Sequence, residues 1–287
     1  MCCTKNIIIA GLLCVSLSAG PALSATTDIA QIPLHLGGQV KPNIMFLLDD
    51  SGSMQWEALP DELIDMYGTY WTYPQVAGIY GGSSYSNWVA TPTHHIYSAM
   101  YRSAAVNKVY YDPEITYEPW KKADGTTYPN ATPSAAYHNP AIPSAGTRNL
   151  TAKNAAPSGG WDICTPDAAG SVTFNGVTFK CTNSSTPITF WPAFYYRYNG
   201  GDITSLANYT RVEIRPETPT YTGGPNRTDC AAAPTCTYAE EIQNFANWYT
   251  YYRSRILAAR AGVGTAFAQL PEAADDESVP RVGFGAI

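Results

Sequence analysis

Near the start of the chain an unbroken apolar run, Ile44-Met45-Phe46-Leu47-Leu48, stops on Asp49-Asp50-Ser51-Gly52-Ser53-Met54. With no polar alternation, the run reads as a strand buried on both faces. Such strands lie at the centre of parallel sheets covered by helices, so the chain is predicted to be α/β. Open α/β sheets bind ligands at the carboxyl ends of their strands. Asp49, Ser51 and Ser53 emerge at that place, and Gly52 lets the turn bend so that both hydroxyls can face one ligand.

One carboxylate and two neutral hydroxyls suit a hard cation. Mg²⁺ takes oxygen ligands in octahedral geometry and keeps several waters. An ion held by so little charge is electron-poor and has reason to accept a partner's carboxylate. Asp49, Ser51 and Ser53 are therefore the candidate metal ligands, for Mg²⁺ or for Ca²⁺ or Mn²⁺. Directly after a buried-strand pattern, this Asp-x-Ser-x-Ser spacing resembles the first element of the metal-ion-dependent adhesion site of a von Willebrand factor A domain. The plainer alternative is an Asx/Ser turn that closes a strand.

Residues 1–24 read as a secretory signal, with Lys5 ahead of an apolar stretch from Ile7 to Ser18 and small residues before Ala25. That stretch is short for a bilayer, and no later segment is long and apolar enough to span one, so the cleaved protein is expected not to be membrane-spanning. Of seven cysteines, Cys164, Cys181, Cys230 and Cys236 lie after the signal. An even count in an exported chain implies two disulfides. Three connectivities are possible, and the short local loops favour Cys164–Cys181 with Cys230–Cys236. Charged residues make up only 14% and the net charge is −6, which argues against a nucleic-acid partner. The 21 tyrosines and seven tryptophans, in a background of Gly, Asn, Ser and Thr, are the composition of adhesive extracellular surfaces or of a Tyr-rich framework.

Residues 25–41 form an N-terminal segment, and 42–56 hold the first strand and its metal loop. Residues 57–236 are irregular, rich in Tyr, Pro and Gly, and are predicted to be a β-rich insertion. Within it, Val172, Phe174, Val177 and Phe179 alternate around Asn175-Gly176, a hairpin signal. Phe190–Tyr198 and Tyr209–Ile214 read as strands, and Ser98–Val109 as a short helix. Pro-rich spacers such as Asn130–Pro143 argue against one compact unit here. Thr237-Tyr238-Ala239-Glu240 is a capping box. Apolar residues then recur from Ile242 to Phe267 at alternating spacings of three and four, which predicts one continuous helix ended by Pro271. Arg253, Arg255 and Arg260 fall off the apolar stripe and read as surface. Glu272–Pro280 reads as an acidic loop, and Arg281–Ile287 starts a second strand. The fold expected is thus a partial von Willebrand factor A-like domain of Rossmann type, spread over 42–56 and 237–287 and C-terminally truncated. A sheet left open so early would expose strand edges and be poorly stable.

The order of parts resembles the N-terminal region of the type IV pilus tip-associated adhesins, the PilY family. Four passages carry the resemblance: Asn43–Met54; Asn107–Trp120, similar to that family's Tyr-Tyr-Asn-Pro…Tyr-x-Pro-Trp block; Phe190–Tyr198; and Gln243–Arg255 with the rest of its helix. The resemblance implies an exported protein of the bacterial outer surface or pilus tip. It implies roles in pilus assembly, attachment and twitching motility, with minor pilins and a host or abiotic surface receptor as partners. It also implies that the ligands completing the metal site, and the family's calcium site, lie beyond Ile287.

No catalytic motif is present, neither nucleophile elbow, H-E-x-x-H, P-loop nor G-x-G-x-x-G, so the chain is expected not to be an enzyme. His94-His95 point different ways on a strand or a helix and read as a plain loop. His35 and His138 have no evident partners in the sequence. Tyr117, Pro119 and Trp120 either form a stacking platform or pin the insertion to the rest of the domain. The alternative function is a secreted carbohydrate-binding protein with the aromatic insertion as its working surface.

Overall fold

The computed structural model describes residues 43–82, 89–156, 160–270 and 280–286. The predicted signal and N-terminal segment, Pro271, most of the acidic loop and Ile287 lie outside the described residues. The chain is mixed α/β and rich in strands. β1 (Asn43–Leu48) leads through a 3-10 turn, Gly52–Gln55, to the short helix α1 (Asp61–Asp65). β2 (Val89–Ala90) precedes α2 (Ile96–Tyr101). Next come β3 (Ala136–Tyr137), β4 (Thr147–Arg148), β5 (Asn154–Ala156), β6 (Trp161–Pro166), β7 (Val172–Phe174) and β8 (Val177–Ser184). β9 (Ile188–Phe190), β10 (Phe194–Tyr198), β11 (Tyr209–Glu213), β12 (Thr220–Thr222) and β13 (Thr235–Thr237) complete the middle of the chain. α3 (Tyr238–Tyr251), α4 (Arg255–Phe267) and β14 (Arg281–Ala286) close it.

β1 and β14 pair in parallel from Asn43–Arg281 to Leu48–Ala286, as two strands separated by helices should. The expectation of burial on both faces fails. Phe46 packs edge-on against Phe267 of α4 at 5.7 Å and stacks on Phe284 at 5.8 Å. On the opposite face Met45 is 64% exposed and Leu47 55% exposed. The apolar run records a tendency to be covered, but among the described residues only one face meets a partner. Neither the pairing nor the helices amount to a demonstrated von Willebrand factor A-like fold.

The core lies elsewhere, in the segment read as an irregular insertion. β2, β6, β8 and β7 form a four-stranded sheet in that order. The β7–β8 hairpin turns where the sequence indicates, with Asn175 and Gly176 at φ 48° and 77°, the left-handed pair such a tight turn requires. Cys164–Cys181 links directly opposed residues of β6 and β8, and Cys230–Cys236 closes the loop before α3. Both pairings are those favoured from loop length. Trp161, Tyr195, Phe194, Phe245, Trp248 and Tyr249 are all buried in one continuous apolar cluster that joins this segment to α3. The Pro-rich stretch from Asn130 is part of the same body, because Ala131 N–H donates to Asn247 Oδ1 at 2.9 Å and His138 Nδ1 meets the Tyr249 hydroxyl at 2.7 Å. His138 therefore has a partner that the sequence did not suggest.

Three further expectations need correction. The helix read over Ser98–Val109 is α2, Ile96–Tyr101, and the chain runs on in turns. The stretch Phe190–Tyr198 is not one strand: Trp191-Pro192-Ala193 separates β9 from β10. Proline supplies no ladder donor there. The predicted helix after Thr237 is two helices. Thr237 caps α3 in a full capping box with Glu240, but the helix stops at Tyr252 and Ser254 caps α4 by accepting from Leu257 N–H. The break turns Arg253 inward, so that it is buried rather than on the surface.

Candidate metal site

β1 ends at Leu48, and the chain turns immediately, so Asp49, Ser51 and Ser53 project from the carboxyl end of the strand as expected. The three predicted ligands are brought together. Ser51 N–H donates to Asp49 Oδ1 at 2.8 Å, and the Ser51 and Ser53 hydroxyls face one another at 3.1 Å. The Ser51 backbone bond, aided by its side-chain bond, holds the exposed Asp49 carboxyl below its ordinary value, so it is ionised at neutral pH. One charged and two neutral oxygens within a single bend are the oxygen types that could hold a hard cation. The same hydrogen bonds would also serve an Asx turn. Among the described residues no cluster of three or more His, Cys, Asp or Glu side chains is placed to hold a metal.

The loop is fixed from below. Met54 and Trp56 N–H donate to the carbonyls of Ser51 and Ser53 at 3.0 and 3.1 Å. Trp56 stacks on Tyr70 at 4.9 Å and lies under the Arg255 guanidinium at 5.2 Å. Arg255 N–H donates to Trp56 O, and its side chain reaches Ala58 O and Asp61, so Arg255 is a tether rather than a free surface cation. Glu57 and Arg253, both buried, form an ion pair at 2.7 Å. The pair is closed by further hydrogen bonds. Thr72 and Tyr73 backbone N–H groups and the Thr72 hydroxyl donate to Glu57, while Arg253 donates to Tyr249 O and His138 O. Sequence alone missed this pair. The usable signal was Ser254, a helix-capping residue amid the helical pattern, which marks the break that turns Arg253 inward.

Beside the loop, at the carboxyl ends of β1 and β14, a cleft of about 390 Å³ is lined by Leu48, Asp50, Arg260, Val263, Phe284 and Ala286, among others. It places a carboxylate and a guanidinium next to the candidate ligands.

The other sequence candidates have structural partners. His95 caps α2 by accepting from Tyr97 N–H, while His94 stacks on Tyr196, so the adjacent histidines serve different contacts. Trp120 Nε1 donates to Tyr251 O at 2.8 Å, Tyr117 N–H donates to Asn244 Oδ1 at 2.7 Å, and the Tyr117 ring packs on Tyr252. These residues pin the segment to α3. Trp120 is only 8% exposed, so its ring is held against α3 rather than offered to solvent.

Among the described residues no helix is long and apolar enough to cross a membrane. No family model matches the chain. No solved structure matches it either. Three curated relatives are called type IV pilus biogenesis factor PilY1. That of Pseudomonas aeruginosa strain PAK is 30% identical over 261 residues, which is 90% of this chain and 17% of the relative. Those of strains UCBPP-PA14 and PAO1 are 28% and 27% identical over 93% and 94% of this chain. The chain is thus homologous to PilY1 along nearly all of its own length, and spans less than a fifth of the relatives it matches.

Proposed function

We propose that this chain acts in type IV pilus biogenesis, as a region of an exported, pilus-associated surface protein that engages its partners through a divalent cation on the Asp49 loop. The similarity to PilY1 supports the pilus assignment. The observation that carries the metal reading is the convergence of Asp49, Ser51 and Ser53 at the end of β1, with the two hydroxyls facing each other. In this role the chain binds rather than catalyses. Mg²⁺, or Ca²⁺ or Mn²⁺, would sit on Asp49, Ser51 and Ser53 and leave positions for a partner's carboxylate, from a minor pilin or a host or abiotic surface receptor.

The test is an Asp49→Ala substitution in the full-length protein. Removing the only carboxylate among the three ligands should weaken Mg²⁺ binding at least about tenfold by titration calorimetry, and should reduce pilus display and surface attachment. Unchanged Mg²⁺ affinity would refute the site and leave the loop as an ordinary turn.

A further inference from the structure

We propose that the cleft between β9 and β11 binds carboxylate side chains of an acidic, extended peptide. This site shares no residue with the Asp49 loop and does not depend on it.

The cleft encloses about 390 Å³, and its walls include Lys153, Phe190, Trp191, Arg211, Glu213 and Arg215. In a chain of net charge −6, three permanent cations here face a single carboxylate. Glu213 accepts from Arg211 Nε at 3.3 Å and Nη2 at 2.9 Å through one oxygen and from Arg215 Nε at 2.6 Å through the other, which also lies 2.6 Å from Arg215 Nη2. It neutralises one guanidinium, and the cleft keeps a positive balance. The remaining donors can be counted, since a guanidinium has five N–H groups. Arg211 also spends Nη1 on Pro92 O and the Tyr196 hydroxyl. Arg215 Nη1 has no hydrogen-bond partner among the described residues, and Lys153 is exposed without an ion-pair partner among them. The Nη1 end of the Arg215 guanidinium and the Lys153 point charge are therefore left for an incoming anion.

The guanidinium groups are also held in place. The Arg215 guanidinium lies 4.3 Å over the Trp191 ring and that of Arg211 lies 4.1 Å over Phe194. Stacking fixes both planes, so little side-chain entropy remains to be lost when a carboxylate docks.

The same contacts favour a peptide over an acidic sugar. A sugar ring needs an open aromatic face. Trp191 is 8% exposed and covered by Arg215, and Phe190 is buried. An extended backbone needs an open strand edge. Among the described residues β9 pairs only with β5, so no strand lies along its second edge, which is the edge offered for strand addition; on β11 the Tyr221 hydroxyl already donates to Glu213 O.

The experiment uses the full chain and a hexaglutamate peptide, with titration calorimetry at low ionic strength. Binding should be seen and should fade as salt is added. Lys153→Glu, at an exposed position that leaves the core intact, should weaken it about tenfold or more, and Arg215→Lys, which keeps the charge but loses the planar guanidinium, should also weaken it about tenfold. Absence of hexaglutamate binding, or equal binding by both variants and the parent, overturns the proposal. Tighter binding of a galacturonate oligosaccharide than of hexaglutamate also overturns it, since that would make the cleft a sugar site.

Discussion

At the scale of single residues, the interior of this protein holds several ionised groups although the chain carries few charges. Glu57–Arg253 and Glu241–Arg227 are ion pairs with both partners buried, and Arg102, equally buried, donates to the carbonyls of Thr72, Ala90 and Thr91. Such groups are tolerated because nearly every donor and acceptor is matched. Two buried titratable groups set opposing pH trends. Burial pushes Asp162 up from 3.8 to about 6, against hydrogen bonds from Asn183 and Thr69 that pull it down. Its folded value lies above its unfolded one, so its contribution to stability is full below 3.8 and is lost as pH rises through about 6. Burial, then the charges of Arg253 and Arg148, pushes His138 down from 6.5 to about 3. Its contribution is full above 6.5 and is lost as pH falls through about 3. Between those limits the two trends oppose each other. Asp162→Asn should leave the His138 trend alone, so the variant's melting temperature should gain on the parent's as pH rises from about 4 to 7. A difference between variant and parent that does not change with pH would show that Asp162 titrates normally.

At the scale of elements, short-range chemistry set the ends and long-range contacts set the interiors. The Thr237 box is local: Glu240 Oε2 accepts from Thr237 N–H at 2.7 Å, and Thr237 Oγ1 accepts from Glu240 N–H at 3.3 Å. Thr237→Ala should lower the free energy of unfolding by about 1 kcal/mol in urea titration, with the m-value unchanged. A loss of several kcal/mol would mean that the cap also holds the neighbouring Cys230–Cys236 loop in register. That loop has its own anchor, because Arg227 bonds Asp229 at 2.7 Å and Glu241 of α3 at 3.0 Å. The α3–α4 break, by contrast, is legible only partly. The apolar spacing runs straight through it, but at the break Arg253 turns in to pair with Glu57, an acid that would otherwise be buried without its cation.

At the scale of the molecule, stability and the candidate metal site sit in different places. The buried cluster draws on residues from Ala58 to Ala261, while the β1–β14 ribbon touches the helical side through one face. A two-stranded ribbon with an exposed apolar face is weakly protected, whereas α3 is packed on nearly every side. Hydrogen exchange on the chain should therefore find the slowest amides in α3 and β10 and much faster ones in β1 and β14. Equal protection of Phe46–Leu48 and of α3 would show that the ribbon is covered in solution. Among the described residues the Asp49 loop gains its support chiefly from the Trp56, Glu57 and Arg255 contacts on its C-terminal side.

Features carried by neighbouring residues could be read from the chain alone. The strand and its Asp49-Ser51-Ser53 bend, the Asn175-Gly176 turn, the Thr237 cap and both local disulfides depend on backbone preferences and short loops, and each is found. What needed the folded chain were pairings across great separations: Glu57 with Arg253, Trp120 with Tyr251, and His138 with Tyr249. The irregular middle segment carries no periodicity because its residues are buried by partners far along the chain rather than by regular faces of their own. Composition could show that tyrosines were abundant, but only the packing shows that many of them are interior, where their hydroxyls close the polar groups that an irregular backbone leaves open.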